Sequence, residues 1–239
     1  MKIAGEAAPN ADHVSSVTRA FHELRELIVL GHLPPGGWII ESALADRLGV
    51  SRTPIRGALH RLHREGYVVE HAGKRNTRII VAPLTRDDAC ELYRIVGHLE
   101  VLAGTQIVAL PSRTRAKIAG ELGAINAQLS AIASRRPVDP RRVFDIDKEF
   151  HARILDAGGG KRLTALHASV RPQVDRYWRL YASSIINELD RSVSEHNQII
   201  GAIRNGDIEE MRRALEQNWT GGFERIRGLI DIFGERGSW

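Results

Sequence analysis

A single cysteine among 239 residues leaves no partner for an intramolecular disulfide and no thiolate cluster for a metal ion. That residue, Cys90, reads as a small core residue on a helix. Aromatic residues make up only 5% of the chain, while Ala, Leu, Ile and Arg are abundant, a balance that favours helices packed on helices over a β-sandwich. No apolar run approaches the roughly 18 residues needed to span a bilayer. The first ten residues contain no apolar stretch of signal-peptide length, so the chain reads as a cytoplasmic protein that makes no contact with membrane.

What is present is basic charge, concentrated in one place. The formal net charge is +5, a weak pointer to a polyanionic partner by itself. Its distribution says more. Between Arg47 and Arg78 there are eight Lys or Arg against two acids, Glu65 and Glu70, whereas residues 83–239 hold 23 Lys or Arg against 21 Asp or Glu.

The hydrophobic pattern divides the chain at Pro83. Residues 1–13 mix Gly, Pro, Asn and charges without a period and read as a mobile tail. Val17, Phe21, Leu24 and Ile28 then recur at helical spacing, until Gly31 and the Pro34 to Gly37 run stop the helix. A short second helix is expected with Ser42 as its N-cap and Gly49 closing it. A third starts at Ser51 to Thr53, with Pro54 in its first turn and Ile55, Leu59 and Leu62 as the buried stripe. Tyr67 to Val69 and Thr77 to Val81 have strand composition and flank a turn-rich basic tip, so a β-hairpin follows. From Leu84 to Phe233 only helical periodicity appears, with breaks at Pro111, at 135–142, at 157–160 and at Asn205-Gly206. The expected architecture is therefore mainly α: a winged helix-turn-helix over 14–82 and an all-α helical bundle over 84–234.

Three short helices followed by a basic hairpin place the third helix in a major groove. At about 100° per residue, Thr53, Arg56, His60 and His63 share the side away from most of the apolar stripe. Arginine forks suit guanine edges, whereas hydroxyls and free amides at the helix start suit phosphate oxygens. Lys74 and Arg75 at the hairpin tip add charge beside a flanking groove.

At these positions the sequence resembles a known family. Pro35-Gly36, Glu41-Ser42-Ala43-Leu44-Ala45 and Leu48-Gly49-Val50-Ser51-Arg52-Thr53-Pro54-Ile55-Arg56, followed by Ala58-Leu59, are similar to the signature of GntR-type regulators. The resemblance implies DNA contacts from Ser51, Arg52, Thr53 and Arg56 and a wing bearing Gly73. Gly57 stands where the pattern has Glu, which points to a locally softer helix.

The second part resembles the FadR-type C-terminal domain, abbreviated FCD, at Glu91 to Arg94 with Glu100, at Asp147 to His151, at Glu195-His196 with Ile199 and Ile203, and at Gly206-Asp207. Asp147 and His151 are four apart and so face one side of a helix. In that family an Asp, two such histidines and a third on the last helix commonly hold a divalent metal that helps bind the effector. Here Asn218 stands in the third position, and an amide oxygen is a weaker donor than imidazole. Two readings stay open: a divalent ion of the Zn, Ni or Mn class on Asp147, His151 and His196 with Asn218 as a weak fourth ligand, or direct hydrogen bonding of a ligand by His151, His196 and Asn218. Arg94 is the expected anchor for an effector carboxylate, or else a surface ion pair with Glu91 or Glu100. Arg176 and Arg179, beside Tyr177 and Trp178, are further effector-binding candidates.

These features imply a homodimer that reads a palindromic double-stranded DNA operator and responds to a small carboxylate metabolite. A different class competes with that reading, a metal-dependent enzyme carrying a DNA-binding appendage. It lacks an obvious general base, because Glu149 and Glu195 differ in helical phase from the candidate ligands.

Overall fold

The computed structural model describes residues 11–72, 77–134, 137–185 and 188–238. The chain divides into two compact units: residues up to Pro83 together with those from Arg236 onward, and Leu84–Glu235.

The first unit opens with helix α1, Ala11–Val29. Positions 11–13, expected as the end of the tail, are therefore helical. Ala11, Asp12 and His13 include no breaker, and a nucleated helix propagates cheaply through such residues. Helix α2, Glu41–Leu48, starts one residue before Ser42, with Ile40 at the cap and no side-chain cap bond. Gly49 ends it in the left-handed region at φ 63°, where its N–H returns to the carbonyls of Ala45 and Asp46. Ser51 in extended conformation then leads into α3, Arg52–Arg64, and Pro54 falls in the first turn, where a missing amide costs nothing. Strands β1, Val68–Ala72, and β2, Thr77–Val81, pair antiparallel with Val68 opposite Val81. Trp38 adds a single bridge to Ile80. Phe21, Leu24, Ile28, Leu44, Ile55, Leu59, Leu62 and Tyr67 form the shared core. The hairpin tip with Gly73, Lys74 and Arg75 lies outside the described residues.

Gly57 is not a soft spot in an open helix. A Cβ there would come within 3.1 Å of both methyls of Val17 on α1, so the absent side chain lets α1 and α3 approach. Gly120 on helix α5 has open space at the same place. Gly120→Ala is expected to stabilise the chain by about 1 kcal/mol through helix propensity, and Gly57→Ala by clearly less. Urea unfolding of the two variants checks this; an equal gain at both sites would show that Val17 gives way freely.

The second unit contains α4, Arg86–Val108; α5, Ser112–Ala133; α6, Pro140–Gly158; α7, Lys161–Ile185; α8, Leu189–Asn205; and α9, Ile208–Phe233. Three starts are capped by side chains accepting from the first turn: Thr85 from the Asp88 amide, Asp139 from Arg141, and Asp207 from Glu210. The split between α7 and α8 has no counterpart in the sequence pattern. Ile185 to Leu189 holds neither Gly nor Pro, so the helical period runs on across it. Helix α4 packs against α6, α7 and α9. Its Gly97 lies where a Cβ would stand 3.0 Å from Trp219, which brings α4 and α9 close together. Two apolar clusters result, one around Ile107, Leu122, Phe150 and Ile203, the other around Tyr93, Val96, Tyr177 and Ile230. On α4, Glu100 falls between Val96 of the second cluster and Val101 of the first, and it is fully buried. A polar seam is thus built into the interior.

Candidate functional site

In the first unit the candidate DNA-reading face is formed by α3. Ser51, Arg52, Thr53, Arg56 and His60 are all exposed, while Ile55, Leu59 and Leu62 are buried beneath them. The Ser51 hydroxyl makes no cap bond, so the first-turn amides of Arg52 and Thr53 remain available to an anion. Arg56 is not a free side chain: its Nε donates to Glu41 Oε2 on α2 at 2.7 Å. That bond fixes one edge of the guanidinium and leaves the Nη edge to point away from Glu41. Arg61 is withdrawn from the face, lying 3.7 Å over the Phe21 ring and bonded to Glu65. The roles of Glu41 and Arg61 were not readable from spacing, because both depend on contacts between helices.

In the second unit Asp147 and His151 of α6 and His196 of α8 converge, their ligating atoms all within 4.8 Å of one another. The hydrogen bonds behind them determine which nitrogen of each ring faces inward. Asn126 Nδ2 donates to the Val193 carbonyl at 3.0 Å and to Asn197 Oδ1 at 2.9 Å. Its Oδ1 is thereby presented to His196 Nδ1 at 3.1 Å, and as an acceptor it requires the proton on Nδ1. His196 Nε2 is then a bare lone pair. It is buried without a hydrogen-bond partner, 3.6 Å from Asp147 Oδ1. Burial pushes the His196 pKa down to about 3 against the pull of Asp147, so the ring stays neutral. Phe150 stacks on it at 3.8 Å between centroids.

His151 repeats the arrangement. Its Nδ1 meets Glu100 Oε2 at 2.6 Å, leaving Nε2 turned toward Asp147 Oδ1 at 4.0 Å. Glu100 also accepts from Trp219 Nε1 at 2.9 Å and from His167 Nε2 at 3.1 Å. Burial by itself would raise this carboxyl, but His151, His167 and Arg171 together hold it well below the usual carboxylate range. Three acceptor atoms therefore face one another with no donor between them. Such an arrangement repels itself unless a cation or proton enters, and imidazoles oriented through Nδ1 by a carboxylate or amide are the ordinary support of metal ligands. Two imidazoles and a carboxylate suit a divalent ion of the Zn, Ni or Mn class.

Asn218 on α9 lines the same cavity, but its Nδ2 donates to Glu195 Oε2 at 3.2 Å. Glu195 is in turn gripped by both Nη atoms of Arg225 at 3.0 Å. The cavity is small, about 50 Å³, with walls that include Tyr93, Val174, Trp178 and Trp219. Tyr93 is held well above the usual phenol range by burial, so its hydroxyl keeps its proton. Glu195, which the enzyme reading needed as a base, is locked in its arginine clamp, and Glu149 points to solvent.

None of the three arginines expected to bind an effector lines this cavity. Arg94 is exposed and lines a surface groove with Cys90, Gly97 and His98, because the buried stripe of α4 runs through Leu92, Tyr93 and Val96. Its expected pairing with Glu100 fails for the same reason. Cys90 is half-buried on that groove rather than in the core. Arg176 is buried but does not line the cavity, and Arg179 lies 4.4 Å over the Phe144 ring instead. The arginines that do line it are Arg171 and Arg225. Arg171 is buried, with Nε on Asp175 at 2.9 Å, Nη2 3.6 Å from Asp147 Oδ2, and Nη1 buried without a hydrogen-bond partner. Sequence reasoning missed it because α7 offers four arginines, at 162, 171, 176 and 179, and only packing decides which of them lines the cavity.

The sequence matches the model of the FCD domain over residues 91–220, more than half of the chain, and that of bacterial regulatory proteins of the gntR family over residues 17–77. Among curated proteins it is 28% identical over 209 residues to an uncharacterized HTH-type transcriptional regulator in an unstable DNA locus of Streptomyces ambofaciens, covering 87% of this chain and 83% of that one. It is 24% identical over 220 residues to the gluconate operon transcriptional repressor of Bacillus subtilis, covering 90% and 86%. In fold it is similar to E. coli McbR/YncC, with a TM-score of 0.67 at 19% identity over 90% of this chain and 98% of that one. A putative transcriptional regulator GntR from Rhodococcus sp. RHA1 gives 0.66 at 22% identity with the same coverage. No described helix is long and apolar enough to cross a membrane. A helix-turn-helix unit with an exposed basic α3, followed by an FCD unit, places this chain in the GntR family of bacterial regulators, in its FadR-type branch, as a DNA-binding transcriptional regulator and not an enzyme.

Proposed function

We propose that the protein is a cytoplasmic homodimeric repressor whose operator binding is relieved by a small carboxylate bound with a divalent cation in the cavity of the second unit. The observation that carries the ligand half of this reading is the donor-free meeting of Asp147 Oδ1, His151 Nε2 and His196 Nε2. The cation supplies positive charge and open coordination positions for an anion. The chain's own residues orient it: Glu100 and Asn126 fix the two rings, and Trp219 and Tyr93 close the walls. For the DNA half, exposed Arg52, Thr53, Arg56 and His60 on α3 read base edges, the amides of its first turn hold a phosphate, and Gly73, Lys74 and Arg75 give the wing its contact with the flanking groove. A two-fold dimer presents two such helices to successive major grooves of a palindrome. Repression is supported by relatives named as repressors, including the probable D-xylose utilization operon transcriptional repressor of Paenarthrobacter nicotinovorans.

Ligand binding shifts the population between arrangements that match the operator spacing and those that do not. The test is a mobility shift on duplexes selected by the protein from a randomised library, with and without Zn²⁺ and short carboxylates. Wild type is expected to lose operator affinity when both are added. The His151→Ala, His196→Ala double variant should hold the operator unchanged. An equal response in both proteins would remove the cavity from regulation.

A further inference from the structure

We infer that the outer face of the β1–β2 hairpin carries a phosphate clamp, Arg78 laid on the indole of Trp38, which grips the DNA backbone separately from the hairpin tip and from the base-reading face of α3. The inference rests on the DNA-binding reading of the first unit and adds a contact surface, the group it holds and the residue that positions it.

Strand register brings the cluster together. His71 of β1 stands opposite Arg78 of β2, Val69 stands opposite Ile80, and Trp38 bridges to Ile80 from the other side, so all five project from one face. Val68 and Val81 on the other face belong to the core shared with the helices. Glu70 is the one acid on the two strands, and with Ile79 it alternates away from the outer face. That face is left with a cation, an indole and an imidazole.

The arrangement suits phosphate. The Arg78 guanidinium carbon lies 5.1 Å from the centroid of the Trp38 ring, and the His71 ring meets the same indole edge-on at 5.7 Å. Trp38 is 49% exposed, so the indole acts as a plate at the surface and not as a core residue. Stacking covers one flat side of a guanidinium and leaves its N–H donors, which lie in the ring plane of the fork, open at the edges. Arg56 gives its Nε to Glu41, and Arg61, which also lies over a ring, gives its Nε to Glu65. Among the described residues Arg78 has no such carboxylate. An oriented fork that lacks an anion fits a phosphate through two parallel bonds. Position agrees with this chemistry. Trp38 is three residues from Glu41, at most about 11 Å along the chain, and Glu41 is the residue that holds Arg56. Phosphates recur about every 3.4 Å of axis on each strand of a duplex, so those bordering the groove that α3 enters come within reach of Arg78.

Titration of the full chain over a series of salt concentrations tests the clamp, on a duplex the protein selects from a randomised library and on a scrambled duplex. One phosphate contact contributes about 0.9 to the slope of log K against log salt, equivalent to roughly fivefold in affinity near 0.15 M salt. Arg78→Ala is expected to lose both on both duplexes, with base preference unchanged. Arg78→Lys keeps the charge without the stacked fork, so the slope should stay near that of wild type while part of the affinity goes. Trp38→Ala should behave in the same way, and Trp38→Phe, which restores a ring for the cation, should recover wild-type binding. Both positions are exposed, so urea midpoints should match wild type throughout. Unchanged affinity and slope in Arg78→Ala overturn the clamp. A lost affinity with an unchanged slope also overturns it, as does an altered base preference, which would make Arg78 a reader of bases. Arg56→Ala, run alongside, should alter base preference and keep the contribution of Arg78 to the slope; its failure to do the first removes the α3 assignment and leaves the clamp standing.

Discussion

Asn218→His is expected to tighten Zn²⁺ binding by roughly 10- to 100-fold, the range by which single changes around a metal site shift affinity. Asn218 already lines the cavity on α9, buried and beside the Asp147, His151 and His196 cluster. An imidazole there adds a fourth, stronger donor and completes the tetrahedral set that zinc prefers. The change removes one hydrogen bond to Glu195, but Arg225 still holds that carboxylate through two bonds, so the supporting network survives. Competition against a chromophoric chelator measures the gain. The same variant should bind a carboxylate less tightly, because the added ring takes a coordination position the anion would use. An unchanged zinc affinity would mean that the side chain at 218 cannot turn from Glu195 to the cluster.

Arg56→Ala is the second large effect. Loss of an arginine fork from a base edge costs about 1–3 kcal/mol and relaxes preference at that base pair. The Glu41 contact makes the expectation sharper. With Nε pinned by Glu41 Oε2 at 2.7 Å, the side chain is oriented before it meets DNA. Glu41→Gln should therefore keep much of the affinity yet broaden the range of bases accepted. Selection from a randomised duplex library at fixed salt, followed by titration on the selected site, separates these outcomes. A wild-type base preference in Arg56→Ala would place the reading residue elsewhere on the face, with Arg52 and His60 next in line.

The two halves were not equally legible in the sequence. The recognition helix shows itself because its chemistry lies on the outside of one short element. Exposed polar residues at 51, 52, 53, 56 and 60 and buried apolar residues at 55, 59 and 62 follow directly from a 3.6-residue period. Gly57 is different. Its reason lies on α1, in Val17, and no local rule points there. In the second unit the i, i+4 spacing of Asp147 and His151 showed that they share a face, but not what stood opposite. Glu100 looked like a surface partner for Arg94 and proved to be the buried carboxylate that orients His151. Asn126 carried no signal at all, although it fixes the His196 tautomer.

The chain alone thus determined the helical class, the basic helix-turn-helix and the three residues that could hold a cation, because each depends on period, composition, spacing or motif within short segments. Which arginines line the cavity and which nitrogen each histidine turns inward were decided only by packing. Those properties arise where α4, α6, α7, α8 and α9 meet, and a buried polar group takes its role from the partner that satisfies it, however distant that partner is in sequence.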